Sequence, residues 1–353
     1  MSADIQAVVL GATGYVGGEL LRLISMHPNF QMAAAVSESR AGGAIPAAFP
    51  HLSANYGNKS FVSHKACLDA VDSGSKLAVF SAAPHGASAA IIKNLLDAAA
   101  TKDVDVHVVD SSADFRYAAQ ADFESVYNIA HGAPDLLSDF QCGVPEHVSN
   151  VDKPHVGHPG CFATAVLLAS VPLLKAKITN NELFVTGVTG STGSGKSPGA
   201  GTHHPERHGN LYAYKPLSHR HTPEIVSLAA AASGIDASIN FVPHSGPFAR
   251  GIYATVQAKT NRPVTQNELQ DIFVVAYADA AFVEVIDGMP KLKNVVASNH
   301  CQIGVAASGN TVVAMSAIDN LVKGAAGGAV QWMNRLWHLP EATGLLAPAP
   351  AWM

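Results

Sequence analysis

Over the first 110 residues, short apolar runs alternate with Ala- and Leu-rich stretches of helical character. The runs at 6–11, 30–37, 76–83 and 104–112 read as strands, and 17–27 and 86–100 as helices. This alternation predicts parallel βα units in a doubly wound sheet. From about Cys161 the texture changes. A strongly apolar helix is expected over 161–176, followed by longer β-rich runs at 182–190, 237–245, 250–260, 282–287 and 311–319, with one helix at 222–233. The second half therefore reads as a sheet with few covering helices, an α+β arrangement. A last helical pattern over 319–337 is expected to pack back on the first domain, ahead of a loosely held Ala/Pro tail. A length of 353 residues suits two domains. The expected division is 1–160 with 320–353 as a dinucleotide-binding domain, and 161–319 as a catalytic and oligomerisation domain.

Composition narrows the classes. Charged residues make up 14% of the chain, the net charge is -5, and no Lys/Arg block occurs, so a nucleic-acid partner is excluded. The longest apolar runs fall short of the roughly 18–20 residues that span a bilayer, and the N-terminus lacks a basic leader. No membrane partner and a cytoplasmic location are expected. The four cysteines, Cys67, Cys142, Cys161 and Cys301, show no CxxC spacing, which indicates neither a zinc site nor a disulfide framework. His203, His204 and His208 cluster with Glu206, but Pro205 interrupts any helical alignment, and no metal is expected.

Gly11, Thr13, Gly14, Tyr15, Val16 and Gly17 follow an apolar run and open a helical one. In that context small residues let backbone amides approach a pyrophosphate at a helix N-terminus. Past the next expected strand come Ser37, Glu38, Ser39 and Arg40. Two hydroxyls and a guanidinium suit a 2′-phosphate, favouring NADP, while the single acid keeps NAD open. Cys161 follows Pro159-Gly160 in the first turn of an apolar helix, where dipole and amides favour a thiolate.

Residues 190–197, GSTGSGKS, fit the phosphate-loop pattern of nucleotide triphosphatases. That loop needs a helix opening at Lys196-Ser197, yet Pro198 and two further glycines follow, which argues against one.

The segments GATGYVGGELLRL, SSADFRY, HPGCFATA, GSTGSGKSPGAG, HRHTPEI and FVPHSGPFARGIYAT occur in the same order as in the N-acetyl-gamma-glutamyl-phosphate reductase family. The resemblance runs to about Asp319 and extends, more distantly, to the aspartate-semialdehyde and glyceraldehyde-phosphate dehydrogenases. It implies a Rossmann domain plus an α+β domain of the glyceraldehyde-phosphate dehydrogenase type. It also implies NADPH-dependent reduction of an acyl phosphate to a semialdehyde through a cysteine thioester, in arginine biosynthesis.

Under that resemblance Cys161 is the nucleophile, and HRHTPEI supplies a histidine, His219 or His221, of near-neutral pKa. Glu224 is placed to orient an imidazole. Arg116 is carried over as a substrate-carboxylate contact, with Arg250 as a second candidate or an interdomain ion-pair partner. Ser191 and Gly193, in an amide-lined loop, are expected near the nicotinamide end of NADP or the departing phosphate. Expected partners are a small-molecule substrate, inorganic phosphate and further copies of the chain, as a homodimer or homotetramer. A sister reductase for aspartyl or aminoadipyl phosphate, and a non-catalytic NADP sensor, are the alternatives.

Overall fold

The computed structural model describes residues 4–350, and the chain divides into two compact units. Among the described residues, one unit holds 4–142, takes in Asn150–His158 and returns with Ala325–Leu346; the other holds Gly143–Ser149, Pro159–Gly324 and 347–350. This division is more interleaved than breaks at 160 and 320. Val144 sits in the core of the second unit, whereas residues 155–157 form a strand of the first.

The first unit is built on β1 (Ile5–Leu10), β2 (Phe30–Val36), β3 (Lys76–Ser81), β4 (Asp105–Asp110), β5 (Phe140–Cys142) and β6 (His155–Gly157). All neighbours are parallel, in the order β2-β1-β3-β4-β6-β5. Val8, Val79 and Val108 bury their side chains in one core with Ile92 and Leu95 of the helix Ser88–Ala100. The chain leaves β1 in one direction toward β2 and β3 in the other toward β4. The carboxyl ends of β1 and β3 are therefore the switch point at which doubly wound sheets bind ligands. The helix Gly327–Leu336 closes this unit against β4 and the helix Tyr15–Ile24, as its apolar pattern suggested.

The second unit carries β7 (Thr179–Thr189), β8 (Tyr212–Ala213), β9 (Ser238–Ser245), β10 (Ile252–Thr260), β11 (Val283–Val285), β12 (Cys301–Ser308) and β13 (Thr311–Ile318). Their order is β11-β12-β13-β10-β7-β9-β8; β7 pairs with β9 and β11 with β12 in parallel, the rest antiparallel. Burial alternates along β7 and β10, the period-two signature of a sheet covered on one face. On that face lies the helix Cys161–Lys175, in which every residue from Phe162 to Leu174 is buried. Each large apolar side chain sequestered there contributes roughly 1.5–3 kcal/mol, so the helix is a rigid base for what it carries at its first turn. A second covering helix, Gln266–Ala276, was not anticipated from the sequence. Thr265 caps it by accepting the Glu268 amide at 3.2 Å, the Thr-x-x-Glu signature of a helix start.

Candidate active site

In the first unit, β1 runs into Gly11 at φ +67°, where a Cβ would lie 2.4 Å from the Ala82 carbonyl oxygen. Only glycine closes this turn without strain. Gly17 is equally confined, since its Cβ would meet Ala12 backbone at 2.7 Å. Gly14 differs: its missing side chain faces Gly11 O at 3.7 Å and little else. It is the N-cap of the helix Tyr15–Ile24, which has no acidic residue in its first turn and no side-chain cap. The amides of Tyr15, Val16 and Gly17 have no intrahelical acceptor, as in any first turn, and converge with the dipole on an anion seat.

Thr13 Oγ1 approaches Ser37 Oγ at 3.3 Å, joining this loop to the end of β2. Glu38 is turned aside: its carboxylate accepts the His64 amide at 3.0 Å and lies 3.2 Å from His64 Nδ1. That leaves Ser37 buried beside it and Ser39 and Arg40 exposed. A helix N-terminus without an acid, an open Gly14 and an arginine with two hydroxyls fit a dinucleotide bearing a 2′-phosphate.

The second unit gathers the chemistry. Cys161, half-buried, opens its helix behind the N-cap Gly160. The Gly160 amide donates to Glu224 Oε1 at 2.6 Å, and Glu224 is 1% exposed. Glu224 was expected to orient an imidazole; the bond seen here fixes the backbone just ahead of the thiol. Its helix starts at His221, one residue earlier than the Thr222-Pro223 signal suggested, with Arg220 as N-cap.

His219 is buried in an aromatic cage. Its ring centroid lies 5.7 Å from Phe162, 5.6 Å from Tyr214, 5.6 Å from Phe241 and 4.7 Å from His221. Its Nδ1 accepts the His221 amide at 3.2 Å, which assigns the proton of the neutral ring to Nε2. Burial, then the charges of Arg220 and Lys215, lower its pKa to about 4. The near-neutral value expected for this histidine is therefore corrected: desolvation penalises the imidazolium.

Cys161, His219 and His221 line one cavity of about 410 Å³, with Thr189 and Ser245 on its wall and Lys215 and Arg220 also facing it. These two cations escaped the sequence reading. Arg220 stands between the two candidate histidines, which was the available signal.

The other expected residues fall elsewhere. Arg116, in the first unit, is buried and donates from Nε to the His158 carbonyl at 3.0 Å and from Nη2 to that of Ser111 at 3.1 Å. Arg250 grips Asp319 with two parallel bonds, 2.9 and 3.0 Å, inside the second unit. The pair is therefore not interdomain.

Gly193 lines the cavity, but the glycine-rich loop does not present the expected row of amides. Those of Gly190, Ser191, Thr192 and Gly193 are bonded to the carbonyls of Gly251, Phe248, Ala249 and Gly190. No helix opens at Lys196-Ser197; the loop is a 3₁₀ turn, Ser191–Ser194, followed by Gly195 at φ +83°. The triphosphatase reading fails on both counts.

Comparison with known proteins matches the two parts of the chain separately. Residues 6–153 match the family described as semialdehyde dehydrogenase, NAD binding domain, and residues 161–320 its dimerisation domain. The chain is 39% identical over 351 residues to the N-acetyl-gamma-glutamyl-phosphate reductase of Pseudomonas putida, covering 97% of this chain and 98% of that one. It is 38% identical over 354 residues to that of Methanosarcina barkeri, with coverage of 98% and 99%. Among solved structures, aspartate semialdehyde dehydrogenase II of Vibrio cholerae superposes with a TM-score of 0.68 at 16% identity, covering 96% of this chain and 99% of that one. The Candida albicans aspartate semialdehyde dehydrogenase with NADP gives 0.66 at 16% identity, over 94% and 99%. At such identities the likeness is one of fold.

Proposed function

Because the chain belongs to the N-acetyl-gamma-glutamyl-phosphate reductases of the semialdehyde dehydrogenase family, we propose that it reduces N-acetyl-gamma-glutamyl phosphate to N-acetylglutamate 5-semialdehyde and inorganic phosphate with NADPH, a step of arginine biosynthesis. The observation that carries this reading is Cys161 at a helix N-terminus, sharing one cavity with the buried, neutral His219.

The Cys161 thiolate, favoured by the helix dipole, attacks the acyl carbon; the C–O bond to phosphate breaks and a thioester forms on Sγ. The Gly11–Gly17 loop would hold NADPH, with Ser37, Ser39 and Arg40 as the groups for its 2′-phosphate, and the bound cofactor would supply the hydride that reduces the thioester. As negative charge grows on the former carbonyl oxygen, His219 donates its Nε2–H to it. A neutral imidazole does this without becoming charged in a desolvated site. Collapse of the oxyanion regenerates a carbonyl and expels the Cys161 thiolate, so this half-reaction takes up no proton; the one proton consumed in this direction goes to the departing phosphate, which is released as hydrogen phosphate. His221 contributes its backbone amide, which fixes the His219 tautomer, and Glu224 secures the Gly160 backbone.

With Arg250 bound to Asp319, the substrate carboxylate falls to Lys215 and Arg220 within the cavity. Gly193 serves as wall rather than as a phosphate donor, and Ser191, whose amide is bonded to the Phe248 carbonyl, is not part of that wall. The uncovered face of the second sheet, where Phe184 is 52% exposed, supports assembly with further copies of the chain. We place its work in the cytoplasm on its kinship with biosynthetic reductases. Among the described residues no helix is long and apolar enough to cross a membrane.

The test runs the reaction backwards. With N-acetylglutamate semialdehyde, phosphate and NADP, the wild type should generate NADPH absorbance and Cys161→Ser should not. Full turnover by that variant would sink the mechanism.

A further inference from the structure

Lys323 is fully buried, and its ammonium pairs with the Glu146 carboxylate, itself 2% exposed and 177 residues away in sequence. Burying two charges costs several kcal/mol per ion, so such a pair is weak evidence for stability and invites another explanation. Its surroundings supply one.

Lys323 belongs to a π-helical turn, Val322–Ala326, a form that recurs at functional sites. Its neighbour Gly324 is pressed onto the nucleophile: a Cβ there would stand 2.7 Å from Cys161 Cβ and 3.1 Å from its Cα. The approach to this turn is anchored by Asp319, whose carboxylate accepts the amides of Leu321 and Val322 at 2.8 Å each and is held by Arg250. Glu146 anchors it from the other side. The residue after Glu146, His147, places Nε2 3.0 Å from Tyr277 Oη, which in turn donates at 2.6 Å to the Leu168 carbonyl, inside the helix that Cys161 opens. The segment touching the thiol's own Cβ is thus tied through Lys323 and Glu146 to the helix carrying that thiol.

We infer that Lys323 and Glu146 are positioning residues, a charged strut that sets the seat of Cys161 through Gly324. The inference rests on Cys161 being the nucleophile, as proposed above. A misplacement of about 1 Å at a reacting atom costs on the order of a hundredfold in rate, so a strut of this kind acts on turnover more than on binding.

The experiment compares wild type, the neutral double variant Lys323→Met/Glu146→Gln, and Gly324→Ala. The double variant leaves no unpaired buried charge, which keeps the test open if either single variant fails to fold. Three quantities are read: kcat and KM, the rate at which iodoacetamide alkylates Cys161, followed by peptide mass spectrometry, and the melting temperature. Expected are a fall in kcat of about ten- to a hundredfold with KM unchanged, an alkylation rate altered severalfold, and melting within a few degrees of wild type. Gly324→Ala, which pushes on the same carbon directly, should reproduce the kinetic change. Wild-type kcat and alkylation in the folded double variant, or a loss tracking unfolding alone, overturns the inference. Because alkylation needs no turnover, that outcome is distinguishable from a wild type inactive toward the proposed substrate.

Discussion

The charge state of His219 offers the sharpest check on the proposed chemistry. With a pKa of about 4 the ring is protonated in roughly one molecule in a thousand at pH 7, against about a quarter of molecules for an unperturbed histidine. Burial is the largest cause and the charges of Arg220 and Lys215 follow. Arg220→Met and Lys215→Met should therefore each raise the midpoint, since removing a neighbouring cation favours the imidazolium, yet leave it below about 6.5 because the cage remains. The assay is an NMR titration of isotope-labelled histidine, with His219 assigned by its missing signal in His219→Gln. Kinetics supply the second half. His219→Gln should lower kcat by about two to three orders of magnitude, the loss expected for one oxyanion donor, whereas His221→Ala retains the backbone amide and should lose far less. A wild-type midpoint near 6.5 or above would refute the desolvation argument. An unchanged midpoint in Arg220→Met would refute the charge argument.

Arg40→Ala should raise KM for NADPH about tenfold and leave KM for NADH unchanged, as expected for one exposed charge-assisted contact to a 2′-phosphate; equal rises would disprove that role. Glu224→Ala strands the Gly160 amide and should cost about 1–3 kcal/mol of stability together with kcat, while Glu224→Gln, which retains an acceptor oxygen, restores part of both. Urea melts and steady-state rates measure the two effects. His27 is held neutral with a pKa of about 4, mainly by burial. The unfolded chain protonates first, so its contribution is intact above about 6.5 and is lost as the pH falls toward 4, by about 3 kcal/mol at most. Urea midpoints of wild type should fall across that window, and His27→Gln should fall less.

Much of this architecture was legible because its signals are local. The strand, glycine turn and helix of residues 5–24 follow from apolar period and from the steric demands of Gly11 and Gly17, and Cys161 announced itself by standing at the mouth of an apolar helix. Partners distant in sequence were not legible. Glu224 meets Gly160, Arg250 meets Asp319 and Lys323 meets Glu146 only because folding closes the intervening chain. Nor does a pattern match reveal which amides a loop has already spent: residues 190–197 spell a phosphate loop while their hydrogen bonds serve the neighbouring backbone. The pKa of His219 likewise depends on Phe162, Tyr214 and Phe241, which come from three separate segments.

The path of the chain has a consequence for inheritance. The polypeptide commits Gly143–Ser149 to the second unit, returns for β6, and crosses again at Pro159 and after Gly324. β6 lies between β4 and β5, so a single cut near residue 142 would leave β5 without its neighbour in the first sheet and take Gly327–Leu336 with the other fragment. A cut near 160 would instead separate Glu146 from Lys323. The two units thus cannot be exchanged as cassettes by one recombination event. A change of cofactor or substrate in this lineage is expected to arise by substitution within the frame rather than by swapping halves.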